Sequence, residues 1–113
     1  MKVTHVFMAL AAADHATALA WYTRLLGRGP DMVPTEGEAV WRLAGSASVY
    51  VVADPVRAGR AALTIAVRDV DALLRDLRGR GIVATIALDA GMRTAVVVDP
   101  DGNRIKIFED PGA

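Results

Sequence analysis

The side chains best suited to chemistry in this chain are two histidines, His5 and His15, and a basic pair, Arg104 and Lys106. His5 has two interpretations: a partly buried, hydrogen-bonded histidine, or an imidazole that contacts a ligand or works as a general acid or base. His15 falls in the first turn of a predicted helix, where we expect it to be solvated. Arg104 and Lys106 alternate along a predicted strand, so they either attract an anion or protect a strand edge from aggregation.

The length and composition limit the function classes. With 113 residues, 53% of them hydrophobic and 23% charged, the chain is expected to fold as one domain. Cysteine is absent, which excludes disulfides, thiolate catalysis and zinc–thiolate sites. Thirteen basic and thirteen acidic side chains cancel, so a broad attraction to nucleic acid or to an anionic membrane is not expected. No apolar run is long enough to span a membrane. We expect a cytoplasmic protein whose partners include neither nucleic acid nor a membrane.

The hydrophobic pattern predicts the same order of elements twice. The predicted strands cover residues 3–10, 32–35, 39–44 and 47–53 in the first half, and 61–67, 83–88, 93–98 and 104–109 in the second. After the first strand of each half comes a helix, one over residues 16–26 capped by Asp14 and one that begins after Asp69 and ends at Gly79.

This order predicts an α+β fold made of two βαβββ modules in a single domain over residues 1–113. Module one is expected over about residues 1–54 and module two over about residues 60–113. Because one helix covers one face of a sheet, the other face of each sheet is free to line a cleft.

Alternation along the strands separates core from cleft, because successive side chains of a strand point to opposite faces. The set expected beneath the helices is Val6, Met8, Leu10, Val49, Val51, Leu63, Ile65, Val67, Ile105 and Ile107, joined from the helices by Leu25, Leu73 and Leu77. The set expected to face the cleft is His5, Phe7, Ser48, Tyr50, Val52, Ala62, Thr64, Ala66, Arg104, Lys106 and Phe108. Trp21 and Tyr22 are expected to pack between helix and sheet, whereas Trp41 either lines the cleft or joins the core.

Four segments carry a resemblance to a known family. They are Thr4-His5-Val6, the helix end Trp21-Tyr22-Thr23-Arg24-Leu25-Leu26-Gly27, residues 65–70, and the turn Asp99-Pro100-Asp101-Gly102-Asn103. Together they resemble the vicinal oxygen chelate superfamily, which includes glyoxalase I, bleomycin-resistance proteins, fosfomycin-resistance enzymes and extradiol dioxygenases. The resemblance covers essentially the whole chain and implies paired modules whose curled mixed sheets surround an open cleft. It also implies that two chains associate, so we expect a homodimer.

The resemblance further implies where a divalent metal would be held, at positions in the first and last strand of each module. Here these positions carry His5, Tyr50, Ala62 and Lys106, of which only the first fits the family's ligand set. A protonated lysine has no free electron pair for a metal and repels a cation. We therefore expect neither a metal nor another cofactor. The alternative, a metal site with a second ligand, depends on Glu109, the nearest acidic residue. A β-bulge would have to turn its side chain into the cleft beside His5.

Three function classes remain open. The favoured one is a metal-independent small-molecule binding protein of the glyoxalase/bleomycin-resistance type, which takes a neutral or anionic ligand, aromatic ligands included. Its predicted contacts are His5, Phe7, Ser48, Tyr50, Thr64, Arg104, Lys106 and Phe108, and no catalytic residue is assigned. The second class is a metal-dependent lyase, isomerase or dioxygenase with an altered ligand set, which would polarise paired substrate oxygens. The third class is an interaction subunit whose cleft is closed.

Overall fold

The computed structural model describes residues 1–110 and 112. The elements follow in the order β1 (Val6–Ala12), α1 (His15–Leu26), β2 (Glu38–Ala44), β3 (Ala47–Ala53), β4 (Ala62–Val67), α2 (Val70–Gly79), β5 (Thr85–Asp89), β6 (Met92–Val98) and β7 (Arg104–Glu109). We call β1, α1, β2 and β3 module one, and β4, α2, β5, β6 and β7 module two. The strands form two separate sheets, in the orders β1-β3-β2 and β4-β7-β6-β5. The predicted α+β fold of two βαβββ modules is confirmed, and the sheets are not closed.

Within the described residues, module one has three strands where four were predicted. Residues 32–35 contribute only an isolated bridge between Met32 and Val40. Pro34 has no backbone N–H to donate, which explains why this segment does not continue a ladder. The first strand also differs from its prediction, because β1 begins at Val6 and runs on to Ala12.

Both helices begin at the predicted caps. The side chain of Asp14 accepts a hydrogen bond from the backbone of Thr17 at the start of α1, and Asp69 does the same for Ala72 at the start of α2. Gly27 ends α1 in the left-handed conformation, with φ of 75°. Neither helix in the described part of the chain is long and apolar enough to cross a membrane.

The core lies mainly in module one. Trp21, Tyr22 and Leu25 of α1 are buried against the sheet, as predicted. Trp41 is fully buried and its indole N–H donates to the carbonyl oxygen of Arg28, at 3.0 Å, so it belongs to the core and not to the cleft. In module two Leu77 of α2 is fully buried.

Six residues predicted for the core are not buried. Val6 is 59% exposed, and the other five are half-buried: Met8, Leu63, Ile65, Val67 and Leu73. All six line a groove between the two modules, where neither sheet continues into the other. The alternation of these strands was therefore predicted correctly, but the depth of burial depends on how the modules pack.

One polar cluster fastens the modules together at the turn between β6 and β7. The buried carboxylate of Asp99 accepts hydrogen bonds from the Tyr22 hydroxyl, at 2.6 Å, and from Nδ2 of Asn103, at 2.7 Å. Asn103 also donates to the carbonyl oxygen of Ala11 and accepts from the backbone N–H of Ala61, both at 2.9 Å. The pKa of Tyr22 is raised, chiefly by burial and then by the hydrogen bond to Asp99. The turn thus ties module two to β1 and α1 of module one.

Candidate functional site

The register of each sheet shows which side chains share the face away from the helix. In module one Ser48 pairs with Phe7 of β1 and with Arg42 of β2, so these three side chains form one row. In module two Lys106 pairs with Thr64 of β4 and with Val96 of β6. We call the face away from the helix the concave face, and each module has one cavity on it.

The cavity of module one has a volume of about 400 Å³. It is lined by His5, Phe7, Asp31, Met32, Val40, Arg42 and Ser48. The rings of His5 and Phe7 lie 4.5 Å apart between centroids at 32°, and Nε2 of His5 is 2.8 Å from Oγ of Ser48. Phe7 is 58% exposed, which leaves much of an aromatic side chain open to a ligand.

Asp31 at the rim of this cavity has two partners. Asp31 accepts a hydrogen bond from the backbone N–H of Arg42, at 2.6 Å, and forms an ion pair with Arg28, at 2.8 Å. These two contacts hold the pKa of Asp31 below its usual value. Asp31 therefore stays ionised at neutral pH beside the cation of Arg42.

The cavity of module two is smaller, about 250 Å³. It is lined by Thr64, Asp89, Met92, Thr94, Lys106 and Phe108. Nζ of Lys106 is 2.5 Å from Oδ2 of Asp89, and this contact lowers the pKa of Asp89. The cavity thus combines one ion pair with the apolar side chains of Met92 and Phe108.

A third space, the apolar groove, lies between the modules and has a volume of about 720 Å³. Aliphatic side chains of β1, β4 and both helices line most of it, among them Met8, Leu25 and Leu63. Arg80 crosses the boundary, donating to the carbonyl oxygens of Arg24 and Leu25 at the end of α1. The groove shares Ser48 with the cavity of module one and Thr64 with the cavity of module two, so it lies between them.

The eight predicted contact residues fall into three groups. His5, Phe7 and Ser48 line the cavity of module one, and Thr64, Lys106 and Phe108 line that of module two. Tyr50 and Arg104 line neither of these cavities. Tyr50 is half-buried in register with Ala9 and Val40, and Arg104 is exposed in register with Ala62 and Val98.

Sequence reasoning missed several cavity residues: Asp31, Met32, Val40, Arg42, Asp89, Met92 and Thr94. Arg42 and Val40 flank Trp41 in the alternation of β2, and this pattern could have placed them on the concave face. Asp89 had no such signal. It pairs with Met92 across the tight turn at Ala90 and Gly91, and that register becomes visible only in the folded hairpin.

The positions that would hold a metal do not carry a suitable set of donors. The pairing of β7 with β4 and β6 is regular, without a bulge, and places Glu109 on the helix side. Its Oε1 accepts a hydrogen bond from the backbone N–H of Val70, at 3.3 Å, at the start of α2. Lys106 is paired with Asp89. Among residues 1–110 and 112, no group of three His, Cys, Asp or Glu side chains is arranged to hold a metal ion. These residues do not fit the divalent ion that the resemblance implies.

Comparison with solved structures finds close relatives of this fold. A glyoxalase/bleomycin resistance protein from Catenulispora acidiphila is 40% identical, covers 96% of this chain and 100% of its own, and superposes with a TM-score of 0.91. Two more distant structures share the fold. A bleomycin-binding protein in complex with bleomycin is 21% identical, with coverages of 96% and 99% and a TM-score of 0.76. TnmS3, an antibiotic binding protein from a Streptomyces species, is 23% identical, with coverages of 96% and 98% and a TM-score of 0.76.

A search of curated proteins gave no match. A family model, in contrast, matches residues 2–107, nearly the whole chain. Together with the two modules and their concave faces, this match identifies the chain as a member of the Glyoxalase/Bleomycin resistance protein/Dioxygenase superfamily.

Proposed function

We propose that this chain is a metal-independent small-molecule binding protein, which holds an aromatic ligand that is neutral or anionic and does not transform it. The observation that carries the proposal is the exposed ring of Phe7, which packs against His5 in the cavity of module one. Aromatic pairs contribute about 0.5–1.5 kcal/mol beyond the area that they bury, so a flat ligand gains from this wall. The bleomycin-binding and antibiotic-binding neighbours support a binding role for the fold.

Polar groups next to the aromatic wall give such a ligand its orientation. The Ser48 hydroxyl and the His5 imidazole are within hydrogen-bond distance of each other, and a ligand carbonyl or hydroxyl can share this pair. Pockets for drug-sized ligands measure about 300–1,000 Å³, so the cavity of module one is at the lower end of this range. The cavity therefore suits a compact ligand.

We also propose that the protein is a homodimer, in which a second copy covers the apolar groove. β1 and β4 are both edge strands of separate sheets, and the groove between them is lined mainly by aliphatic side chains. Val6, on the groove, is 59% exposed, and Met32, in the neighbouring cavity, is 58% exposed. A formal net charge of zero adds no repulsion between copies. Sedimentation at micromolar concentration should show a dimer that Val6→Lys weakens, and a monomer alone would refute the proposal.

A titration of aromatic compounds tests the binding role. Phe7→Ala should lower the affinity for a compound that binds the wild type by about tenfold, because it removes the stacking wall. Val56→Ala is the matched control, since Val56 is 82% exposed in the linker, residues 54–61 between β3 and β4, away from both cavities. Mass spectrometry of the recovered compound should find it unchanged. A compound of altered mass would favour an enzyme, and the absence of any bound compound would favour an interaction subunit.

Metal independence needs its own measurement. Calorimetric titration with Zn²⁺, Ni²⁺, Mn²⁺ and Fe²⁺ should give no stoichiometric binding, because His5 is the one suitable donor among the four implied positions. Stoichiometric binding that His5→Ala abolishes would support the alternative, a metal-dependent lyase, isomerase or dioxygenase. The cytoplasmic location stays a prediction from the sequence.

A further inference from the structure

We propose that Asp89 is a specificity-determining residue, which makes the cavity of module two favour uncharged ligands over anionic ones. The proposal rests on the binding function above and narrows its ligand class. No pattern in the sequence singles out Asp89, and its contact with Lys106 changes the role expected for that lysine. The sequence alone allows Lys106 to attract an anion, whereas in the structure its charge already has a partner.

The geometry places both charges inside one small space. Lys106 projects from β7, and Asp89 lies at the end of β5, where it pairs with Met92 of β6. Nζ of Lys106 and Oδ2 of Asp89 are 2.5 Å apart, and both side chains line the cavity. Among the described residues that line it, Lys106 is the one cation and Asp89 the one anion. The formal charge of the cavity lining is therefore zero.

An anionic ligand meets opposite effects at this pair. The attraction to Lys106 is opposed by repulsion from Asp89 at nearly the same distance, so the two Coulomb energies largely cancel. The ligand would also have to compete with Asp89 for the donors of Lys106. An uncharged ligand has no such cost and gains contact with Met92 and Phe108, which form the apolar part of the wall.

The ion pair has little importance for stability, which separates specificity from folding. The side chains of Lys106 and Asp89 are 41% and 59% exposed, and ion pairs at such positions contribute little to the free energy of unfolding. The lining of the cavity of module one likewise contains one carboxylate, of Asp31, and one guanidinium, of Arg42, although the ion pair of Asp31 is with Arg28.

Two fluorescent probes with one aromatic skeleton test the proposal. N-phenyl-1-naphthylamine is uncharged, and 8-anilinonaphthalene-1-sulfonate is the same molecule with a sulfonate. Wild-type protein should bind the uncharged probe more tightly. Asp89→Asn should raise the affinity for the sulfonate probe by about three- to tenfold, because Lys106 is then left without its counter-charge. The affinity for the uncharged probe should stay the same, and the gain should shrink in about 0.5 M salt.

Two controls show whether the gain in affinity for the sulfonate probe arises at the pair of Asp89 and Lys106. Asp71→Asn removes the carboxylate of another exposed ion pair, with Arg93 at 2.7 Å, which lies outside the cavity of module two, and should change neither affinity. Lys106→Met in the Asp89→Asn background should remove the gain. An unchanged preference in Asp89→Asn, with the uncharged probe still bound, would overturn this inference and leave the binding function standing. Failure of both probes to bind the wild type and Asp89→Asn would count against the binding function as well.

Discussion

The boundary between the modules has two unlike ends. At the closed end, the turn Asp99–Asn103 lies against β1, α1 and the linker, and Asp99 and Asn103 are buried at 5% and 0% exposure. At the open end, β1 and β4 belong to separate sheets and both contribute to the apolar groove, and Ile65 and Leu73 remain half-buried. The closed end is polar and satisfied by buried hydrogen bonds. The open end is lined mainly by apolar side chains, although Arg80 donates hydrogen bonds across it to the carbonyl oxygens of Arg24 and Leu25.

This difference shows how two modules can be held firmly and still leave a binding surface. Buried polar groups cost free energy unless they are paired, so the hydrogen bonds of Asp99 and Asn103 allow only one arrangement of the turn. Apolar side chains at the open end impose no such geometry, and their burial by a second copy is favourable. The closed end should therefore control stability, and the open end should control association and binding.

The largest expected effect is at the centre of the closed end. Asn103→Ala removes the side chain that donates to Ala11 and accepts from Ala61. It leaves buried polar groups unpaired, and each of these costs about 1–3 kcal/mol, so we expect a loss of about 3–5 kcal/mol in urea denaturation. Arg104→Ala, at the exposed neighbouring residue, is the control and should change stability little. Equal midpoints for both variants would refute the importance of the closed end.

The linker should be nearly as sensitive at Gly59. It has φ of 79°, and a Cβ there would overlap the carbonyl oxygen of Asp101. Gly59→Ala should cost about 3 kcal/mol from backbone strain and displacement of the turn together. Gly91→Ala is a matched control, since Gly91 has φ of 76° but no atom within 4 Å of a Cβ. If both variants lose the same stability, the close approach of linker and turn is not important.

Tyr22→Phe should have a smaller effect, about 2 kcal/mol, because it removes one hydrogen bond to a carboxylate that keeps its other donors. The variant also has a pH signature. The pKa of Tyr22 is raised in the folded protein, whereas an unfolded tyrosine ionises near pH 10. Above about pH 10 the unfolded chain loses a proton that the folded protein keeps, so the free energy of unfolding falls, by up to about 1.4 kcal/mol per pH unit. Tyr22→Phe should lose this part of the alkaline slope, and an unchanged slope would contradict the assignment.

The smallest effect is expected at the open end. Leu73→Ala should cost about 1 kcal/mol, because Leu73 is already half-exposed on the groove. Leu77→Ala, one turn further along the same helix and fully buried, should cost about 2–5 kcal/mol. Urea denaturation of both variants at low protein concentration compares them. A cost for Leu73→Ala as large as that for Leu77→Ala would mean that the groove is filled in solution.

Much of the fold could be predicted because its signals are local. The capping residues Asp14 and Asp69 lie within three residues of the N–H groups that they bind. β7 begins and ends at the predicted residues, since Ile105 and Ile107 alternate with Arg104 and Lys106. The strand predicted at residues 32–35 was wrong because Pro34 outweighs the β-branched and apolar residues around it.

The candidate site was predicted less completely, for a physical reason. Which side chains share a face follows from alternation along one strand, and this placed Phe7, Thr64 and Lys106 on the concave faces. Which side chains meet across strands follows from register, and the partnership of Lys106 with Asp89 depends on the tight turn at Ala90 and Gly91. Whether Ile65 is buried depends on how two modules dock, through contacts as distant in sequence as Tyr22 and Asp99. Sequence patterns reveal the alternation along a single strand. The register between strands and the packing between modules are decided only in the folded chain.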